Sequence, residues 1–219
     1  HYGFEICEDA WRGNLRPGYR LCERKVDLIF NPSASHFAMG KTQLRTELLE
    51  DSSATFDCYY CYANLLGNEA GRMIFDGEIM LAKSGEILSR NRLLSFEDYQ
   101  VNSFSLEQQP QGIAPINSKN EEFTQASALA LFDYMRKSRS NGFVLSLSGG
   151  ADSSSIAILV AEMVKRGIDE LGLEVFCKKA GIKNMPTSQN PEKDLMKQIL
   201  TTAYQGTKNS SEDTFSSAE

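Results

Sequence analysis

The stretch that most constrains this chain is Phe143-Val144-Leu145-Ser146-Leu147, followed at once by Ser148-Gly149-Gly150-Ala151-Asp152-Ser153-Ser154-Ser155. A short apolar run bounded by a Ser/Gly turn reads as a buried strand. The segment from Asp152 to Arg166 reads as the helix that follows it. At such a helix start the first backbone N–H groups point at whatever sits before them, which favours an anion. Two glycines let the backbone approach a phosphate closely and take conformations closed to other residues. The serines add hydroxyl donors, and Asp152 supplies a carboxylate for Mg²⁺ or for a metal-bound pyrophosphate. The plainer alternative is a Ser/Gly turn with Asp152 as the helix N-cap. No G-x-G-x-x-G marks a dinucleotide loop here. Upstream, Ser35-His36-Phe37-Ala38-Met39-Gly40-Lys41-Thr42 mimics a Walker A loop, but Ser35 stands where its first glycine is required.

The rest of the chain is organised around further strand and helix signals. Tyr2 to Cys7 reads as a strand ending at the cysteine, and Lys25 to Asn31 as a second, buried strand. Thr42 to Ser52 reads as a helix with Leu44 and Leu48 on its apolar side, and Phe56 to Leu66 as strand. Ile79 to Leu88 predicts a hairpin turning at Ser84-Gly85. Residues 102–119 hold Gln-Pro and Ala-Pro with little periodicity, a linker signature. Ser118-x-x-Glu121 then opens a helix as a capping box. Phe123, Ala126, Leu129, Ala130 and Phe132 line one side, with Arg136, Lys137 and Arg139 near its carboxyl end. Alternating strands and helices predict an α/β fold. The expected divisions are a first domain over 1–101, a linker over 102–119 and a second domain over 120–219. Both ends read as cut.

Composition narrows the function classes. The 219 residues carry a formal net charge of −6, which argues against a nucleic-acid partner. No stretch approaches the ~20 apolar residues that span a bilayer, and no leader pattern opens the chain. Five cysteines, an odd count at irregular spacing, point to a reducing compartment, and a cytoplasmic location is expected. Cys58 and Cys61 form a C-x-x-C within an apolar run and read as core thiols, because zinc would want a second ligand pair.

Cys7 lies in Phe4-Glu5-Ile6-Cys7-Glu8-Asp9-Ala10-Trp11. A thiolate at a strand-to-turn position, backed by a free N–H, can attack an amide and stabilise the oxyanion. An inert core thiol is the alternative. His1 and His36 are the only histidines, so no Cys/His pair is evident.

SGGADSS resembles the S-G-G-x-D-S loop of the ATP pyrophosphatases, which cleave ATP to AMP and pyrophosphate. That loop alone does not choose among NAD, GMP and asparagine synthetases and tRNA-modifying enzymes. FEICEDAW, NPSASHFAMGK and FDGEIMLAKSGEIL resemble nitrilase-type amidases, which use Cys, Glu and Lys without histidine. The order of the two motifs, joined by a linker, resembles the glutamine-dependent NAD synthetase family. GMP synthetases use a Cys/His/Glu glutaminase and asparagine synthetases an amino-terminal cysteine, so neither fits.

The resemblance implies the C-terminal part of a nitrilase-like α-β-β-α sandwich, then the start of a parallel-sheet ATP pyrophosphatase (adenine nucleotide α-hydrolase-like) domain. It implies Cys7 as nucleophile, the Glu8 N–H in the oxyanion hole, and Ser35 and Lys41 as glutamine contacts. The family often carries Arg at the Lys41 position, and Arg and Lys grip a carboxylate differently. Ser146, Leu147, Ser148, Gly149, Gly150, Ala151, Asp152, Ser153 and Ser154 would bind ATP, with Asp152 on Mg²⁺. Thr207, Asn209, Ser210 and Ser211 would form a second nucleotide-side loop, against the alternative of a polar capping loop.

The implied reaction amidates nicotinic acid adenine dinucleotide to NAD with ammonia from glutamine, in a homo-oligomer. The family's Glu and Lys precede the cysteine, and only six residues precede Cys7, so this chain alone is expected to be inactive. The competing readings are a non-enzymatic piece or degenerate paralogue, and another amidotransferase of the same loop family.

Overall fold

The β-branched and aromatic runs of the first half form a sheet in the computed structural model of the chain, burying Ile29, Tyr60 and Tyr62 on one face and leaving Tyr2 and Phe4 exposed on the other. The structure describes residues 1–69, 71–104, 106, 112–206 and 215–216, in two compact units, His1–Ala126 and Ser127–Glu219.

In the first unit the strands are β1 (Tyr2–Phe4), β2 (Leu28–Ser33), β3 (Tyr59–Asn64), β4 (Leu66–Glu69), β5 (Met73–Asp76), β6 (Ile79–Lys83) and β7 (Glu86–Arg90). A five-stranded sheet runs β1-β2-β3-β6-β7, and β4 pairs with β5 as a separate ribbon. β1, β2 and β3 are parallel, joined through the helices α1 (Gly18–Glu23) and α2 (Lys41–Thr55). β6 and β7 add antiparallel strands through the expected turn, where Ser84 and Gly85 both take positive φ. The core gathers Ile29, Leu49, Phe56, Cys58, Tyr60, Tyr62, Met80 and Ala82.

Three local expectations change. β1 stops at Phe4 rather than Cys7, because the Asp9 carboxylate accepts the Ile6 N–H and Cys7 opens a 3-10 turn, Cys7–Trp11. The strand expected over 56–66 is Tyr59–Asn64, since Phe56 still caps α2 through its bond to the Ser52 carbonyl. α2 buries a more polar face than expected: Leu44 is exposed and Leu48 half-buried, while Thr42, Arg45, Thr46, Leu49, Ser52 and Ser53 are buried. That polar face is tolerable because most of its groups are bonded, although the buried Arg45 Nε has no partner among the described residues. Thr46 donates to the Thr42 carbonyl and Arg45 to Asp76 and Glu78.

The helix α3 (Lys119–Ser138) begins with the Ser118 hydroxyl accepting the Glu121 N–H. It buries Ala126, Leu129 and Phe132, whereas Phe123 is exposed. The second unit continues with β8 (Phe143–Ser146), α4 (Ala151–Leu171), α5 (Leu173–Ala180), α6 (Pro191–Ile199) and β9 (Leu200–Ala203). β8 and β9 pair in parallel, and Phe132 stacks on Phe176 with ring centroids 5.5 Å apart. Val160, Met163, Val164, Leu195 and Ile199 complete the core.

Gly142 enters β8 at φ +142, and a Cβ there would sit 2.2 Å from the Ile199 carbonyl oxygen. The obstructing atom is backbone and cannot swing away. Gly142→Ala is therefore expected to cost about 1–3 kcal/mol, read as a lowered urea midpoint by far-UV circular dichroism. An unchanged midpoint would contradict this packing.

Candidate active site

The parallel strands β1, β2 and β3 deliver their carboxyl ends to one edge of the sheet, the usual place for a site in an α/β fold. After β1 comes Cys7, after β2 comes Ser35, and Asn64 is the last residue of β3. Cys7 has φ +49, a left-handed conformation that costs a β-carbon-bearing residue on the order of 1 kcal/mol. The strain is held from behind. The Asn31 side chain donates to the carbonyls of Glu5 (2.8 Å) and Cys7 (3.4 Å), and its own oxygen accepts the Ser33 hydroxyl. Glu8 lies in the first turn of the 3-10 segment, where N–H groups lack helical partners. That matches the donor an oxyanion would need.

Beneath Cys7 lies a buried ion cluster. Glu5 takes two bonds from Arg16, one from the Tyr60 hydroxyl and one from the Gly18 N–H. Burial pushes the Glu5 carboxyl up, but the Arg16 and Tyr60 hydrogen bonds outweigh it and leave it below its ordinary value.

The segment after β2 is fixed at three points. Asn64 holds Ser35, the Ile74 carbonyl accepts the Phe37 N–H, and Glu122 accepts the Gly40 N–H. Gly40, at φ +77, starts α2 without a side-chain cap of its own, so Glu122 supplies the carboxylate that a helix amino end favours. Lys41 folds its ammonium onto the His36 carbonyl at 2.9 Å. Partial burial, then the Arg45 charge, holds the Lys41 amine below its ordinary value, while Asp76 and Cys7 pull it back. Lys41 thus sits within the electrostatic reach of Cys7. Cys7, Glu8, Ser35 and Lys41 share one edge of the sheet.

The Ser/Gly loop leaves β8 at the carboxyl end of its pairing with β9, as the Leu147 N–H bonds the Ala203 carbonyl. Gly149 turns at φ +73. Ser153 is buried and braces the loop: its hydroxyl accepts the Ser148 N–H at 3.3 Å and donates to the Gly150 carbonyl at 3.2 Å. The Ser154 hydroxyl also turns back to that carbonyl, at 2.9 Å. These two serines therefore shape the loop rather than offer their hydroxyls outward. Ala151 and Asp152 open α4 with amides that lack intrahelical partners. Asp152 is exposed in that first turn, and Gly150 is the N-cap, so the alternative of Asp152 as N-cap fails. Among the described residues no group of three or more His, Cys, Asp or Glu side chains could hold a metal ion. A single carboxylate suits Mg²⁺ that arrives on phosphate oxygens and keeps its waters. Thr207, Asn209, Ser210 and Ser211 lie outside the described residues.

Reading the sequence missed Asn31, Asn64, Arg45, Asp76, Glu78 and Glu122. The one available signal was Asp76-Gly77-Glu78 inside the apolar run Met73 to Leu81, where a charge must be paired.

A family model described as NAD synthase matches residues 123–213. The crystal structure of a glutamine-dependent NAD(+) synthetase from Cytophaga hutchinsonii superposes with TM-score 0.82 at 46% identity, covering 99% of this chain and 36% of that one. One from Acinetobacter baumannii, in complex with adenosine diphosphate, shares the fold at TM-score 0.67 and 24% identity, over 93% of this chain and 38% of its own. Glutamine-dependent NAD(+) synthetases of Oryza sativa (28% identical) and Homo sapiens (29%) match over 98% and 97% of the chain, and 36% of each relative. The chain is similar to glutamine-dependent NAD(+) synthetases along nearly all of its length, and it spans 36% of the length of such relatives.

Proposed function

We propose that the full-length protein carrying this chain amidates nicotinic acid adenine dinucleotide to NAD, with ammonia taken from glutamine. The observation that carries this reading is the pairing, in one chain, of a strained cysteine at a sheet edge with a Ser/Gly anion loop at a helix start. At the first, the Cys7 thiolate attacks the glutamine side-chain amide, and the Glu8 N–H stabilises the oxyanion. Ser35 and Lys41 hold the glutamine. At the second, the backbone amides around Gly149 to Asp152 and the Ser148 hydroxyl bind the phosphates of ATP. The acceptor carboxylate attacks the α-phosphorus, pyrophosphate leaves, and ammonia then displaces AMP. Asp152 would hold Mg²⁺ that arrives with ATP, and that ion would supply charge neutralisation at the phosphates. Thr207, Asn209, Ser210 and Ser211 complete the nucleotide side.

We also assign the sequence divisions at 101/102 and 119/120 to the two catalytic parts and their linker, and a homo-oligomeric cytoplasmic enzyme. Five free thiols support the reducing compartment. No helix of the described residues is long and apolar enough to cross a membrane.

The test is conversion of nicotinic acid adenine dinucleotide to NAD by full-length protein with ATP–Mg²⁺, from glutamine or from ammonia, with AMP release. Absence of product from both nitrogen sources would overturn the reading; a different carboxylate as the preferred acceptor would replace it with another amidotransferase. Within that assay, Gly149→Val is expected to lower both rates at least about 10-fold. A β-branched residue is strained at φ +73, and it crowds the approach of phosphate. Rates within two-fold of wild type, by the same assay, would remove the loop from the ATP site.

A further inference from the structure

We infer that Asn64 is a positioning residue for glutamine, acting through Ser35; this rests on the reading of Ser35 as a glutamine contact. Asn64 ends β3, opposite Ser33 in the parallel register with β2. Beyond Ser33 the backbone pairing ceases, and the Asn64 carboxamide takes its place. Its oxygen accepts the Ser35 N–H at 2.8 Å, and its nitrogen donates to the Ser35 carbonyl at 2.8 Å.

The amide orientation is not free, because its nitrogen also donates to Asp76 Oδ1 at 2.7 Å, and a carboxylate only accepts. Asp76 Oδ2 in turn accepts from Arg45 Nη1 at 2.6 Å. Arg45 Nη2 returns to the Ser35 carbonyl at 3.3 Å. The bonds close a ring through Ser35, Asn64, Asp76 and Arg45. Arg45 is wholly buried, and Glu78, equally buried, takes a second bond from Arg45 Nη1 at 2.7 Å. The ring consumes both backbone polar groups of Ser35. Its hydroxyl makes no hydrogen bond among the described residues. The backbone that carries this hydroxyl, in a loop without regular structure, is thereby held by buried charged and amide groups. Positioning of this kind matters because a displacement of about 1 Å can cost up to about 10²-fold.

The test uses full-length protein, with Asn64→Ala and the isosteric Asn64→Asp, which keeps the acceptor but loses both donor bonds. The expected result is a glutamine KM raised about 10-fold in both, with the ammonia-supported rate as internal reference. Ser35→Ala separates the two claims. A raised glutamine KM in Ser35→Ala, but not in either Asn64 variant, sinks the inference and leaves the site reading standing. An unchanged KM in Ser35→Ala sinks the site reading, and the inference with it. Parallel loss of glutamine- and ammonia-supported rates in Asn64→Asp marks a folding effect and also overturns it.

Discussion

Cys7→Ala in the full-length protein is expected to abolish NAD formation from glutamine, on the order of 10³-fold or more, while formation from ammonia survives. The asymmetry follows from the division of labour proposed above. Glutamine nitrogen is released only through a covalent step at the thiol, whereas free ammonia bypasses it. Cys7→Ser is expected to fail as well, because an alcohol lacks the thiolate population that a thiol has near neutrality. The other cysteines make poor substitutes. Burial pushes the Cys58 and Cys61 thiols up to about 11, and Cys177 is also raised by burial. Cys22 is half-buried and directs its sulfur at the Phe56 carbonyl. Mass-mapped alkylation with and without glutamine gives the second measurement: Cys7 should be labelled and should be protected by substrate. Glutamine-supported turnover by Cys7→Ala would return the cysteine to the status of a core thiol.

What the sequence made legible was local chemistry. The hairpin at Ser84-Gly85 and the strand–loop–helix of Phe143 to Arg166 could be read because turn residues and apolar runs specify them within a few positions. The face of α2 could not be read. Arg45 on a helix looks solvated until Asp76 and Glu78, far along the chain, are placed against it. The pairing of β8 with β9 was hidden for the same reason: Leu200–Ala203 is short and half polar, and only its partner makes it a strand. At the site, Cys7, Ser35 and Lys41 came from a matched pattern, but the groups that hold them came only from geometry. Asn190-Pro191 was a missed local signal. Asn190 caps α6 by accepting the Lys193 N–H, with Pro at the first helical position.

Arg16→Met is expected to destabilise the first unit by about 3–5 kcal/mol near neutral pH. The side chain volumes are similar, so the cost is electrostatic. Arg16 gives Glu5 bonds of 3.1 and 2.5 Å, bonds the Ser52 and Tyr60 hydroxyls, and lies over the Phe56 ring at 4.9 Å. Without it a wholly buried carboxylate keeps only the Tyr60 hydroxyl and the Gly18 N–H. The pH dependence fixes the cause. In the native cluster the Glu5 carboxyl lies below its ordinary value, so its stabilisation is present above the unfolded-state value and lost as pH falls through the folded one. In Arg16→Met burial is unopposed by the guanidinium, so the carboxyl moves up and its penalty is relieved by protonation. The deficit of the variant should therefore shrink on acidification from pH 7 towards pH 4. Glu78, whose carboxyl burial pushes up against the pull of Arg45, titrates in both proteins and cancels in the difference. Trp11, the single tryptophan, lies in this unit and reports its urea unfolding. A deficit independent of pH would assign the loss to packing on Phe56 and Tyr60. Glu5→Gln/Arg16→Met, which removes both charges, should recover part of the stability, because the isolated buried charge rather than the missing pair is what the single variant suffers from.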